Sequence, residues 1–168
     1  MSSIVYTIGD SLYLNFTNRC TNDCSFCIRN RSKLFNKQHQ LWLDKEPTLE
    51  EMKQAIGDPA RYKEVVFCGY GEPLVSLDLV VELSRYIKSL GGRVRIDTNG
   101  EANLIHKRNI VPELKDIVDS ISISLNAQDA KTYDKLCHSE FGEAAYKAIL
   151  DFTKEAALVI PKVTLSVL

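Results

Sequence analysis

The sequence predicts an α/β protein on a parallel sheet, a partial (β/α) barrel with too few units to close. Three observations predict it. Strand-length apolar or alternating runs recur at 12–16, 64–68, 93–97, 119–125 and 163–168, separated by helical stretches, as expected of parallel strands joined by crossover helices. A closed eight-fold barrel takes about 250 residues, roughly 31 per unit, whereas 168 residues here hold five such strands. The strands also run into Gly, Asp, Asn, Ser or Cys instead of core residues, which suits a site at the C-terminal edge of the sheet.

The elements follow in order. Residues 4–8, the turn Gly9-Asp10-Ser11 and residues 12–16 read as a hairpin leading into the first barrel strand. A cysteine loop covers 17–30, and 31–47 has no helical period, so it reads as a long, lid-like connection. The βα units occupy 48–168. Thr48-Leu49-Glu50-Glu51 fits a capping box opening a helix that runs toward Gly57. Ser76 is placed to cap a second helix whose inner face is Leu79, Val80, Leu83, Ile87 and Leu90, ended by Gly91-Gly92. Pro112 suits the start of a short helix through Asp116. Residues 129–136 and 142–157 are predicted helical, the latter with Ala145, Ala148, Ile149, Phe152 and Ala156 inward.

Composition sets wide limits. A chain of 168 residues, 45% hydrophobic and 26% charged, is expected to form a single domain, 1–168, with a real core. A net charge of −1 gives no broad attraction to nucleic acid or membrane, and no apolar run approaches the ~20 residues of a membrane helix. With five cysteines, an odd number, and no signal-peptide pattern, a disulfide framework is not expected. A cytoplasmic location follows, where clustered cysteines bind metal or catalyse. The final strand has no helix after it to cover the sheet, so the sequence reads as truncated or completed by a second copy, a homodimer.

Cys20, Cys24 and Cys27 stand as C-x3-C-x2-C in a loop after the first barrel strand. A structural zinc site closes with four protein ligands, and simple iron–sulfur clusters take four cysteines. Three thiols on a cubane leave one iron open to another ligand. A zinc site with a fourth ligand such as His39 remains an alternative. Cys68 and Cys137 read as buried small hydrophobes, although Cys137 beside His138 also suits a nucleophile or an extra ligand. His39 and His106 read as surface residues. In the basic loop, Arg29, Arg31, Lys33, Lys37 and Lys45 surround an anchor at Trp42, and Arg29 is the best-placed anion contact.

The cysteine spacing, with Phe26 before the third thiol, resembles the signature of the radical S-adenosylmethionine (SAM) superfamily. The resemblance implies a partial barrel and a [4Fe–4S] cluster on Cys20, Cys24 and Cys27 with SAM on its unique iron. It also implies cleavage of SAM to a 5′-deoxyadenosyl radical, with electrons from a flavodoxin or ferredoxin. By the same resemblance Phe26 packs near the adenine, and the backbone of Tyr70-Gly71-Glu72 takes the SAM amino group. Asp97 and Asn99 of Asp97-Thr98-Asn99-Gly100, with Ser124 and Asn126, contact SAM.

Over nearly its whole length the chain is similar to the TatD-associated subfamily, through Ile4-Val5-Tyr6-Thr7, Asn18-Arg19-Cys20-Thr21-Asn22-Asp23-Cys24, Leu41-Trp42-Leu43 and Gly69-Tyr70-Gly71-Glu72-Pro73. That implies a functional link to a TatD-type hydrolase but no definite reaction or substrate. Two other expectations stay open: a glycyl-radical-enzyme activase acting on a partner protein, and a non-catalytic zinc or degenerate cluster module.

Overall fold

Hydrogen bonding gathers six strands into one open sheet, and its polarity is what positions the site. The structure, a computed structural model, describes residues 2–32, 34–36 and 38–167; Lys33, Lys37 and Leu168 lie outside the described residues. Strand β1 (Val5–Ile8) pairs antiparallel with β2 (Ser11–Leu14). A two-stranded ribbon of β3 (Leu34–Phe35) and β4 (His39–Gln40) lies in the long loop that follows. The main sheet then continues from β2 through β5 (Val65–Phe67), β6 (Val94–Thr98), β7 (Ser120–Ser124) and β8 (Lys162–Ser166), all parallel. These are the five strands expected. β1 and β8 are its two edges, so no barrel closes.

Alternation divides the sheet into two faces. Leu12 and Leu14, Val65 and Phe67, Val94 and Ile96, and Ile121 and Ile123 point into a core shared with the helices. The opposite face carries Tyr13, Arg95, Asp97, Ser120, Ser122, Ser124, Lys162, Thr164 and Ser166, in matching register on β6, β7 and β8. It is polar on β6, β7 and β8, whereas β5 and β1 add the buried Val66 and Tyr6 to it.

Two of the helices open on side-chain caps. α1 (Leu49–Ile56) has the expected capping box: Thr48 Oγ1 accepts from Glu51 N, and the Glu51 carboxylate accepts from Thr48 N. A cap of this kind contributes about 1 kcal/mol. α2 (Leu77–Ser89) buries Leu77, Val80, Val81, Leu83, Ser84 and Ile87. Two expectations fail there. Leu90 is exposed, and Ser76 makes no side-chain cap; its Oγ instead accepts from Arg19 Nη2 at 2.9 Å.

The short helix α3 (Ala102–Ile105) has no counterpart in the sequence reading. α4 (Val111–Leu114) starts one residue before Pro112. α5 (Ala130–Cys137) is capped by Asp129, which accepts from Thr132 N at 2.8 Å. α6 (Ala144–Val159) buries Ala145, Ile149, Phe152 and Ala156. No helix among the described residues is long and apolar enough to cross a membrane.

The lid-like loop is more ordered than its sequence suggests. After a single 3-10 turn at Ile28–Asn30 it forms the β3–β4 ribbon. Phe35 and His39 pack on Tyr6, with ring centroids at 5.5 and 5.4 Å. Tyr6 also stacks on Tyr13 at 5.3 Å. The anchor is Leu41 and Leu43, both buried, while Trp42 is 47% exposed. His39 and His106 are half-buried, and His106 Nε2 lies 2.7 Å from the Leu74 carbonyl.

Candidate functional site

The chain leaves β2 at Leu14 and passes through Asn15, which is fully buried. Asn15 Nδ2 donates to the carbonyls of Ser3 and Leu41, each at 2.8 Å, tying the first strand to the lid. The cysteine loop is then pinned from several sides. Glu72 N donates to Arg19 O at 2.8 Å, Glu140 N to Thr21 O at 2.9 Å, and Asp23 N and Ser25 N to Cys137 O and Leu136 O at 3.0 Å. Arg29, expected to meet an anion, donates to Asn22 O at 2.9 Å and lies 3.5 Å from the Asp23 carboxylate; Arg31, not Arg29, lines the cavity.

A buried polar network lies beneath the loop. Thr21 Oγ1 and Tyr133 Oη both donate to the Glu101 carboxylate, while Tyr133 Oη accepts from Asn22 Nδ2 at 2.9 Å. Burial raises the Glu101 carboxyl. Nothing in the sequence links position 101 to position 21. Only an acid directly after Asp97-Thr98-Asn99-Gly100 hints at it.

The second wall comes from the end of β5. A Cβ added at Gly71 would sit 2.5 Å from Thr17 O and 2.6 Å from Arg19 O, so this turn and the cysteine loop touch backbone to backbone. Glycine is required by that approach. The Glu72 carboxylate is bonded within the protein. It accepts from Leu74 N at 2.9 Å, Thr98 Oγ1 at 2.7 Å and Asn99 N at 2.7 Å, joining the ends of β5 and β6. Burial outweighs these donors and pushes its carboxyl up to about 7.

The pH consequence has a definite sign. Between about 4.5 and about 7 the folded state binds more protons at Glu72 than the unfolded state does, so this group's contribution to stability falls as pH rises through that window. Urea midpoints should decline across it, and Glu72→Gln should flatten the decline. The same variant should lose about 1–3 kcal/mol at pH 5, because an amide nitrogen would face one of the three donors.

The ends of β6 and β7 complete the cavity. Asp97 faces Arg95, with Arg95 Nε 3.0 Å from Asp97 Oδ1; Arg95 also donates to Glu64 Oε1 at 2.7 Å and Tyr13 Oη at 3.0 Å. Asn99 reaches the cavity wall, and each end of its amide makes one bond within the protein. Nδ2 donates to Thr21 Oγ1 at 2.9 Å and Oδ1 accepts from Glu101 N at 3.0 Å. Ser124 closes β7 and Asn126 follows with φ 57°, a left-handed conformation that asparagine tolerates.

A cavity of about 560 Å³ lies between these walls, within the usual range for a small-molecule site. Cys20, Cys24, Cys27, Phe26, Tyr70, Gly71, Glu72, Asp97, Asn99, Ser124 and Asn126 all line it. So does Cys68, which the sequence reading placed in the core. Two buried acceptors on its wall, Asn22 Oδ1 and Asp97 Oδ1, have no hydrogen-bond partner, although Asp97 Oδ1 keeps its ion-pair contact with Arg95.

The thiols suit a metal cluster. Burial pushes Cys20 up to about 12, and Cys24, next to Cys137, is raised as well. Metal ligation takes the thiolate, so bound metal would replace these protons. No three His, Cys, Asp or Glu side chains among the described residues converge on a single metal ion; the three loop cysteines are spread along one cavity wall instead. All five cysteines are free thiols.

Comparison with known proteins agrees with this geometry. Residues 14–168 match the family profile of the Radical SAM superfamily. The chain is 27% identical over 132 residues to a Methanocaldococcus jannaschii protein named "Putative glycyl-radical enzyme activating enzyme MJ1227", covering 78% of this chain and 50% of that one. It is 29% identical over 142 residues to GTP 3′,8-cyclase of Erythrobacter litoralis, covering 80% and 40%. The crystal structure of HydG, a maturase of the [FeFe]-hydrogenase, superposes with a TM-score of 0.63 at 20% identity, covering 94% of this chain and 34% of that one. The chain thus spans half or less of the length of each of these proteins.

Proposed function

The chain belongs to the radical SAM superfamily, and from that premise we propose that it is an enzyme whose cavity holds a [4Fe–4S] cluster on Cys20, Cys24 and Cys27 with SAM beside it. Superfamily members use this cluster and SAM. When bound, the pair supplies a 5′-deoxyadenosyl radical able to abstract a substrate hydrogen atom. The observation that carries the proposal is the single cavity in which the three thiols meet the ends of three successive parallel strands.

The protein's own residues bind, orient and exclude water. Gly71 lets the Tyr70–Glu72 turn close on the cysteine loop, the backbone of that turn would take the SAM amino group, and the buried Glu72 side chain fixes it to β6. Phe26, half-buried against the core, offers a face to the adenine. Asp97, paired with Arg95 at the cavity edge, and Ser124 and Asn126 on the neighbouring strand end suit the ribose.

The substrate would lie along the polar face below. A second cavity of about 560 Å³ is lined by Glu64, Arg95, Asp97, Ser120, Ser122 and Thr164 among others. Asp97 lines both cavities. Hydroxyls and paired charges there favour a polar substrate.

A second reading, an activase whose substrate is a partner protein, is favoured by the M. jannaschii relative and by Asp97-Thr98-Asn99-Gly100. The likeness to the TatD-associated subfamily rests on the sequence motifs, and a link to a TatD-type hydrolase belongs to this proposal.

The test is anaerobic incubation of cluster-loaded protein with SAM and a low-potential reductant. 5′-Deoxyadenosine and methionine should accumulate. Asp97→Ala combined with Asn126→Ala should weaken SAM binding about ten-fold or more, the scale of one or two lost hydrogen bonds to a buried ligand. Unchanged affinity in the double variant would move SAM elsewhere.

A further inference from the structure

Cys137 lies outside the cysteine loop and yet is built against it. Asp23 N donates to the Cys137 carbonyl and Ser25 N to the Leu136 carbonyl, both at 3.0 Å, so the backbone on each side of Cys24 is bonded to the end of α5. Between these bonds the Cys24 side chain lies next to that of Cys137, close enough for the two thiols to influence each other. The two differ in access: Cys24 is half-buried and lines the cavity, whereas Cys137 is fully buried. Asn126 Nδ2 approaches Cys137 Sγ from the other side at 3.9 Å.

We propose that Cys24 and Cys137 are a redox pair that closes to a reversible disulfide when the loop carries no cluster. The backbone bonds on either side of Cys24 hold the two chain segments against each other, and closure brings the sulfurs to the roughly 2.05 Å of a disulfide. Hydrogen peroxide or a related hydroperoxide is the oxidant. It reaches the open thiol first: Cys24–SH and H2O2 give Cys24–SOH and water. The Cys137 sulfur then attacks the Cys24 sulfur, the S–S bond forms, the S–O bond breaks, and the oxygen leaves as a second water with the Cys137 proton. Two thiols lose two electrons, and peroxide takes them up. A dithiol reductant reverses the step through a mixed disulfide.

The consequence, though not the chemistry, rests on the cluster assignment. Captured as a disulfide, Cys24 is withheld from iron but shielded from sulfinic acid, from which return is barred without a dedicated enzyme. Cys137 would act as a resolving thiol that keeps the apo loop recoverable.

The experiment treats metal-free protein with a few equivalents of hydrogen peroxide, alkylates it under denaturing conditions, and maps peptides without reduction. A cross-linked peptide pair containing Cys24 and Cys137, released by dithiothreitol, is the expected result. Cys24 joined chiefly to Cys20 or Cys27, or oxidised while Cys137 is alkylated as a free thiol, would overturn the proposal. In Cys137→Ser the expected product is sulfinic acid at Cys24, with iron and sulfide uptake not restored by dithiothreitol; full restoration there would count against it. The wild-type peptide map decides the matter even if that variant folds poorly. Untreated protein that takes up no iron and sulfide would overturn the cluster assignment alone, since the map needs no cluster.

Discussion

Alanine at Cys20, Cys24 or Cys27 will each strip the protein of its cluster: after anaerobic reconstitution, bound iron and acid-labile sulfide should fall by more than about ten-fold. Loss of an outer partner of a metal ligand already costs 10–100-fold in metal affinity, and a direct ligand is worth more. The three thiols line one cavity, and of the two remaining cysteines Cys137 is fully buried behind Cys24 while Cys68 lies outside the loop, after β5. Cys68→Ala is the control. Its thiol lines the same cavity from the end of β5, and it should retain the cluster. Equal loss in Cys68→Ala would mean that the cavity, not the three-thiol loop, sets iron content.

Gly71→Ala should be nearly as damaging to SAM binding, although it removes no functional group. The added methyl carbon would meet two backbone carbonyl oxygens, Thr17 O at 2.5 Å and Arg19 O at 2.6 Å. Backbone cannot step aside as a flexible side chain can, so either the turn or the cysteine loop must shift. Overpacking of this kind costs about 1–3 kcal/mol, and here the displaced segment carries Cys20. The expected outcome is a folded protein with a lower melting temperature, reduced iron content and little SAM affinity. A contrast is available at Gly9, where φ is +56° but no atom lies within 4 Å of an added Cβ. Gly9→Ala should cost stability through backbone strain alone and leave iron and SAM binding intact. Comparable losses in both variants would assign the Gly71 effect to general destabilisation.

The parallel sheet and the edge where the cavity sits were legible because their signals are local. A three-thiol loop, strand ends at 68, 97 and 124, and the capping box at Thr48 are each written within a few residues. What escaped is made by contacts between distant segments. Glu101 is buried by Thr21 and Tyr133, which are 80 and 32 residues away. The placing of Cys137 behind Cys24 comes from α5 ending against the loop. Asn99 lines the cavity as expected, and the bond that holds its amide there comes from Thr21, distant in sequence. The lid misled for a different reason: Leu41 and Leu43 face inward on either side of Trp42, an alternation too short to outweigh the pull of the one tryptophan.

The most direct test of the central claim is the electron paramagnetic resonance spectrum of the reduced protein before and after addition of SAM. A cluster held by three cysteines, with its fourth iron open beside the strand ends, should show a reduced [4Fe–4S] signal whose shape changes when SAM binds, with the change weakened in Asp97→Ala combined with Asn126→Ala. A reduced-cluster signal that SAM leaves untouched, or a protein that carries stoichiometric zinc and no sulfide, would contradict the account.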